Sequence, residues 1–453
     1  MKKLKQSVIQ GSVWALASVA AGQALRLGKS LVLSRLLFPD AYGEMAIVWA
    51  VLACLDLLSD VGLAPGIIRS PRGDDPLFLN TAWIMKITRG AVLCLITAAI
   101  AYPLSRFYEM PHLAVLIPIA GFSIFLEGFS STKTYTSLRN MNYARLSVIE
   151  LVNEAAGLVV TVVWALVSPT VWALLAGAVI VRISHVLLSH FALPGPHNRF
   201  QWNPPAFHEL VQFGKWVLFS SAIYVLYSQG DRLILGRYLD AHLLGIYAIA
   251  ILLSETVSGV INKLNSTVCF PAISTTALND RARLRSVVYR IRFGTDLLLN
   301  LPIGVLMVLS GFLVNFLYDP RYHDAGWMLQ ILCVRLLVVS MLAPSSSSLF
   351  ALGMTKYSLA QNSCRAAMIL IGVPIGWNLY GIHGVVWAVA LSEVPVIAVV
   401  WYGMATQELL TFRLELRSVL IFAVGLAAGF GLLQVLPSGL SLSNLSFLHW
   451  HAK

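Results

Sequence analysis

Residues 216–249 read WVLFSSAIYVLYSQGDRLILGRYLDAHLLGIYAI, and residues 14–47 read WALASVAAGQALRLGKSLVLSRLLFPDAYGEMAI. Laid on each other at an offset of 202, without gaps, the two stretches are identical at 12 of 34 positions. Trp14/Trp216, Gly28/Gly230, Arg35/Arg237 and Gly43/Gly245 are among the matches. A fainter echo, VWAL at 171–174 against VWAV at 386–389, falls in the sixth apolar segment of each half. The chain therefore reads as two copies of one unit.

Composition identifies the solvent of that unit. The chain is 58% hydrophobic and 12% charged, with a mean hydropathy of +0.76, and a water-soluble protein of this length needs far more polar surface. Apolar blocks of about 20 residues, the length that crosses a bilayer core, recur at 9–35, 43–68, 79–103, 112–133, 147–167, 170–191, 213–237, 243–268, 291–317, 327–350, 359–379, 382–405 and 417–436. The blocks are continuous rather than alternating, so they read as helices and not as the strands of a barrel. The expected fold class is an all-α polytopic membrane protein.

Threading these spans with the N-terminus inside places nineteen Lys and Arg residues in inside segments and five in outside ones, a strong positive-inside bias. The net charge of +11 then belongs to the cytoplasmic face and to anionic phospholipid headgroups, not to nucleic acid. The start, MKKLKQSVIQGSVWALASVAAGQ, reads as a retained first helix, because its apolar run exceeds signal-peptide length and carries no convincing cleavage site. An odd number of spans puts the C-terminus outside. The basic stretch NDRARLRSVVYRIRF at 279–293 is expected at the headgroup layer. The five cysteines show no paired spacing and read as small hydrophobes rather than disulfide or metal partners.

Six spans separate the copies, so both halves enter the membrane in the same sense. That is a parallel repeat about an axis along the membrane normal, a plan shared by several secondary transporters, with substrate bound between the halves. The expected architecture is two six-helix bundles, 1–203 and 204–406, around a central cavity, with a further helix and tail at 407–453.

An ionisable side chain at mid-bilayer costs roughly 2.5–3.5 kcal/mol, so each needs water or a partner. The offset of 202 lays Arg26 on Ser228, Lys29 on Asp231 and Ser30 on Arg232. Gln23, Arg26 and Lys29 share one helix face, and Tyr224, Tyr227 and Asp231/Arg232 make the matching stripe. Arg26, Lys29 and Arg232, with Arg182 and Arg335, are the candidate substrate-binding cations. Asp56 and Asp60 at i and i+4, Glu150 and Glu154 at the same spacing, and Asp231, Glu255 and Glu393 are candidate counter-ions or ion-coupling groups. Glu127, Asp296, Lys263 and Arg365 read as internal ion pairs or snorkelling side chains. Guanidinium grips phosphate in a bidentate manner, so the set suits an anionic substrate. No cofactor or metal is expected. GDD at 73–75 reads as a solvated turn, no Ser/His/Asp set or Gly-rich phosphate loop stands out, and outside loops of about ten residues or fewer leave no place for catalytic groups. An enzyme is not expected.

Several stretches carry a family resemblance in combination: LVLSRLLFPDAYGEMAIV (31–48), LDLLSDVGLAPGIIRSPRGDD (55–75), QGDRLILGRYLDAHLLGIYAIA (229–250), FPAISTTALNDRARLR (270–285) and LPIGVLMVLSGFLVNFLYDPRYHDAGWMLQIL (301–332). In this order they resemble the polysaccharide-transporter (Wzx-like) family of lipid-linked oligosaccharide flippases, within the MOP superfamily that includes multidrug MATE exporters. The resemblance implies a V-shaped, cationic central cavity. It also implies transfer of undecaprenyl-pyrophosphate-linked repeat units across the bacterial inner membrane, for exopolysaccharide or O-antigen synthesis, beside a polysaccharide polymerase or export machinery. The family's basic cavity contacts map best onto Arg26, Lys29 and Arg232. The alternative is a MATE-like, ion-coupled exporter of lipophilic cations, with Asp56 and Asp60 binding the cation. The excess of deep basic residues on the first helix weighs against it.

Overall fold

The computed structural model describes residues 21–60, 62–140 and 142–435. Helices follow one another throughout: α1 (21–36), α2 (Pro39–Leu58), α3 (Leu63–Arg69), α4 (Pro76–Phe107), α5 (Leu113–Gly128), α6 (Lys133–Arg139), α7 (Tyr143–Val167) and α8 (Val171–Phe191). The second half contributes α9 (Pro204–Tyr238), α10 (Ala241–Leu264), α11 (Phe270–Asn279), α12 (Arg281–Thr295), α13 (Leu301–Leu317), α14 (Ala325–Ala351), α15 (Thr355–Leu391), α16 (Val394–Thr406) and α17 (Phe412–Val435). Single π-helical turns at Asn265–Cys269 and Asp296–Asn300 lead into α11 and α13.

Among the described residues nine helical segments are long and apolar enough to cross a membrane, ten if α5 and α6, bent by 62°, form one span. Thirteen were expected over the whole chain. Thr355–Thr406 runs as one 52-residue segment, yet its backbone breaks at Tyr380 and at Gly381, whose φ of 57° is left-handed. That break lies between the spans expected at 359–379 and 382–405. The span expected at 213–237 lies on α9. The first expected span starts outside the described residues. So do the N-terminal lysines used for orientation and the tail beyond residue 435.

The chain forms two compact units, one made of the residues up to Val225 with Leu239–Gly245, the other of Leu226–Tyr238 with the residues from Ile246 onward. In the first, α4 packs along α5, and α8 lies against α5 and α7. The start of α10 joins this unit at a crossing with α2 made by repeat-related residues. A Cβ on Gly43 would stand 1.9 Å from the Ala241 carbonyl oxygen, and one on Gly245 would stand 1.8 Å from that of Pro39. Small residues are what let membrane helices approach this closely. His242 Nδ1 and Asp40 Oδ2, also 202 residues apart in sequence, lie 3.4 Å from each other at the same crossing.

In the second unit, α13 packs between α14 and α17, around Ile261, Ile303, Cys333, Leu336 and Phe422. Gly304 and Gly425 bring α13 and α17 into backbone contact; a Cβ on Gly425 would meet the Leu301 carbonyl oxygen at 2.3 Å. The turn after α13 is held by Asp319, which accepts from the backbone N–H of Arg321 and from its Nε at 2.7 Å. The guanidinium hydrogen bond holds the Asp319 carboxyl below the usual carboxylate range.

The stretch expected at the headgroup layer is α12, and it only partly follows that expectation. Arg281, Arg283, Arg285 and Arg290 are exposed, whereas Arg292 is completely buried. All five cysteines are free thiols, Cys269 and Cys333 in the interior.

Candidate functional site

Each unit holds charges inside its helices, and each arrangement follows from which helix faces meet. In the first unit Arg26 on α1, with 49% of its side chain exposed, places Nε 3.5 Å from Glu154 Oε1 on α7. Lys29, one turn further along α1 and half-buried, lies in the field of the same carboxylate. Glu150 is exposed one turn before Glu154. On α8, Arg182 and His185 share a face and both reach Glu127 on α5: Arg182 Nη1 lies 3.7 Å from Oε2, and His185 Nδ1 lies 2.7 Å from Oε1. Ser130 Oγ donates to the same Oε1 at 3.1 Å, and Lys86 Nζ on α4 donates to Ser130 Oγ and to its carbonyl.

Asp56 and Asp60 do not share a helix face. The helix ends at Leu58, the Ser59 hydroxyl bonds back to the Leu55 carbonyl at 2.6 Å, and Asp60 turns to accept from the Gly62 N–H at 2.9 Å. Gly62, at a φ of 61°, starts α3 from a left-handed turn that glycine adopts without strain. Asp56 instead takes Arg89 of α4 at 2.5 Å. Asp74 and Asp75 of the GDD stretch pair with Arg139 and cap α4.

In the second unit Asp231 and Arg232 part company, because successive helical residues point about 100° apart. Asp231, 7% exposed, accepts from the fully buried Tyr247 hydroxyl at 2.8 Å. Arg232 places Nη2 2.5 Å from Glu255 Oε1 on α10 and Nη1 3.3 Å from Gln229. This is how one helix accommodates two adjacent charges: each has its own partner on α10.

A second cluster centres on Glu393, which is fully buried. Tyr227 donates to it at 3.1 Å, Arg335 donates to the Tyr227 hydroxyl at 2.8 Å, and Arg365 Nε donates to its other oxygen at 2.9 Å. Both guanidiniums also lie over the Tyr227 ring, at 5.7 and 5.2 Å from its centroid. Arg365, read from sequence as a snorkelling side chain, belongs to this cluster, which has two cations for one carboxylate.

Two groups had escaped the sequence reading. Lys86 and Arg89 stand one turn apart inside the third apolar block, so the signal was present. Glu415 was not legible: it opens α17 as a solvated residue would, yet it is buried against Arg292, Nη1 to Oε1 2.5 Å, with neither side chain exposed. Tyr289 and Trp401 also donate to Glu415, at 2.9 and 2.8 Å.

Chemically, the arrangement keeps cations inside the bundle on carboxylate partners, at partly exposed positions where an anion could take the carboxylate's place. Apolar spans with ion-paired interiors define a polytopic membrane protein, and solved membrane proteins share its structure. The chain superimposes on lipid II flippase MurJ in an inward closed conformation with a TM-score of 0.71, at 14% identity, covering 97% of this chain and 95% of that one. It matches an inward-facing multidrug resistance MATE transporter at 0.69, with 12% identity, covering 88% of this chain and 98% of that one. At these identities the likeness establishes the fold.

The sequence model of the polysaccharide biosynthesis protein family matches residues 32–327, and the chain belongs to that family. It is 24% identical over 397 residues to the lipopolysaccharide biosynthesis protein WzxC of Escherichia coli (strain K12), covering 86% of this chain and 79% of that one. It is 24% identical over 328 residues to the amylovoran biosynthesis protein AmsL of Erwinia amylovora, covering 70% and 81%.

Proposed function

We propose that the protein is a flippase that moves undecaprenyl-pyrophosphate-linked oligosaccharide repeat units across the bacterial inner membrane by alternating access, for exopolysaccharide or O-antigen synthesis. The observation that carries this reading is the placement of ion-paired guanidiniums on the repeat-related helices: Arg26 with Glu154 on α1, and Arg232 with Glu255 on α9. A pyrophosphate offers the oxygens that guanidinium binds best, and it can displace a carboxylate from such a pair. Halves 1–203 and 204–406, with 407–453 appended, would enclose the substrate, and Lys29, Arg182 and Arg335 would extend the cationic lining. Glu150, Glu154, Asp231, Glu255 and Glu393 would hold the cations in the empty state. The relatives named for lipopolysaccharide and amylovoran biosynthesis support the substrate class. The exposed arginines of α12 suit anionic phospholipids of the cytoplasmic leaflet, and a polysaccharide polymerase would use the product.

The test is a transfer assay. Purified protein is placed in vesicles carrying a fluorescent polyprenyl-pyrophosphate oligosaccharide in one leaflet, and an impermeant quencher reports its movement. Arg26→Ala and Arg232→Ala are each expected to slow transfer about tenfold or more, from the roughly 1.5–3 kcal/mol that a hydrogen bond to a charged group contributes. Wild-type protein that transfers no lipid-linked glycan, but drives efflux of a lipophilic cation, would place the chain with the multidrug exporters instead.

A further inference from the structure

The structure assigns a proton-binding site to the N-terminal unit, formed by His185 and Glu127 and reached through a cavity beside them. The other ion-paired carboxylates described inside the helices each face a guanidinium: Asp56 with Arg89, Glu154 with Arg26, Glu255 with Arg232, Glu393 with Arg335 and Arg365, and Glu415 with Arg292. Arginine does not give up its proton in proteins, so the cation of those pairs exchanges none. Glu127 also faces a guanidinium, Arg182 at 3.7 Å, but an imidazole stands closer, at 2.7 Å, and imidazole is the side chain that changes charge near neutral pH. The two other histidine–carboxylate pairs among the described residues, His112–Glu44 and His242–Asp40, stand at helix ends with side chains 70% and 46% exposed, against 27% for His185.

The geometry names the atom. When Nδ1–H of His185 donates to Glu127 Oε1 at 2.7 Å, Nε2 carries the free lone pair and takes the next proton, giving an imidazolium–carboxylate pair. Lys86, acting through Ser130, and Arg182 also face Glu127. The charges around the pair are mixed: Lys86 and Arg89 on α4 and Arg182 on α8 are its cations. Its carboxylates are Glu127 on α5 and Asp56 on α2, with Glu150 and Glu154 on α7 lining the same cavity, and Tyr135 on α6 lies in the field of Glu127. A cavity of about 310 Å³ lies alongside, lined by Glu127, Glu150, Asn153, Glu154, Arg182 and His185 among others. Glu127 Oε2, Asn153 Oδ1 and Thr134 Oγ1, which belong to lining residues, are buried and make no hydrogen bond among the described residues. Such atoms call for water, and the cavity has room for several molecules at about 30 Å³ each, enough to carry a proton to and from Nε2. Uptake and release of that proton couple transport to the proton gradient; the coupling, though not the proton site, rests on the flippase reading.

Two measurements test this. Histidine-selective ¹⁵N labelling of the full protein in nanodiscs, assigned with His185→Gln, follows the ring through a pH titration without any substrate. The His185 ring is expected to take up a proton as the pH is lowered, and Glu127→Gln is expected to weaken that uptake at least tenfold. A ring that does not titrate, or titrates unchanged in Glu127→Gln, overturns the site. In the vesicle assay an imposed pH gradient is expected to accelerate wild-type transfer, and His185→Gln to lose that acceleration while retaining transfer without a gradient. Acceleration that survives in His185→Gln overturns the coupling. Wild-type vesicles without any transfer would count against the flippase reading, and the titration would still decide the proton site.

Discussion

Replacing Arg292 by methionine is expected to destabilise the C-terminal unit by about 3–5 kcal/mol, the cost of leaving one member of a buried ion pair alone. Glu415 would keep only the Tyr289 hydroxyl and the Trp401 indole as donors, with no exposed surface through which water could compensate. Asp296, bonded to Ser418 and Asn300, would lose its nearest cation as well. The thermal melt of purified protein in detergent reads this directly. Arg290→Met, two residues away on an exposed face of the same helix, is the control, with a shift near zero. The double variant Arg292→Met with Glu415→Leu is expected to recover part of the loss, since an apolar pair can replace a buried ion pair. Recovery stays partial because Tyr289 and Trp401 lose their acceptor. A single Arg292→Met variant that melts with the wild type would show that the pair does not support α17 against α12.

Gly245→Val is the second large effect. Its Cβ would lie 1.8 Å from the Pro39 carbonyl oxygen and 3.1 Å from the Gly43 nitrogen. Both are backbone atoms, so no rotamer relieves the clash and α2 and α10 must separate. Overpacking of a core costs about 1–3 kcal/mol where side chains can adjust, and a backbone collision exceeds that range. Loss of the monodisperse peak in size exclusion, or a strongly lowered melting temperature, is expected, and Gly43→Val should behave alike. Gly28→Ala provides the contrast. Gly28 is also repeat-matched, yet among the described residues nothing lies within 4 Å of its Cβ position, so the change is expected to be neutral or slightly stabilising, as for a glycine inside a helix. Equal behaviour of Gly28 and Gly245 variants would refute the crossing.

These two positions show what a repeat alignment can and cannot say. Gly28/Gly230 and Gly43/Gly245 look equivalent in sequence, and only the packing shows that the second pair meets itself. The ion pairs follow the same pattern. That Arg26, Arg182, Arg232 and Arg335 need partners was legible from hydropathy. That Arg232 turns to Glu255 while Asp231 turns to Tyr247 was not, because side chains adjacent in sequence leave a helix in different directions. Asp60 was misread for a related reason: i and i+4 share a face only while the helix lasts, and α2 stops two residues short of it.

The order of residues alone determined that this protein folds in a membrane, that it is all helical, and that it repeats at an offset of 202. Those properties follow from local hydropathy and periodicity, which need no knowledge of neighbouring helices. Tertiary structure decided which carboxylate neutralises which guanidinium, and that Glu415 is interior. Each of these depends on the rotation and crossing of helices distant in sequence, and those are set by where small residues allow backbones to touch.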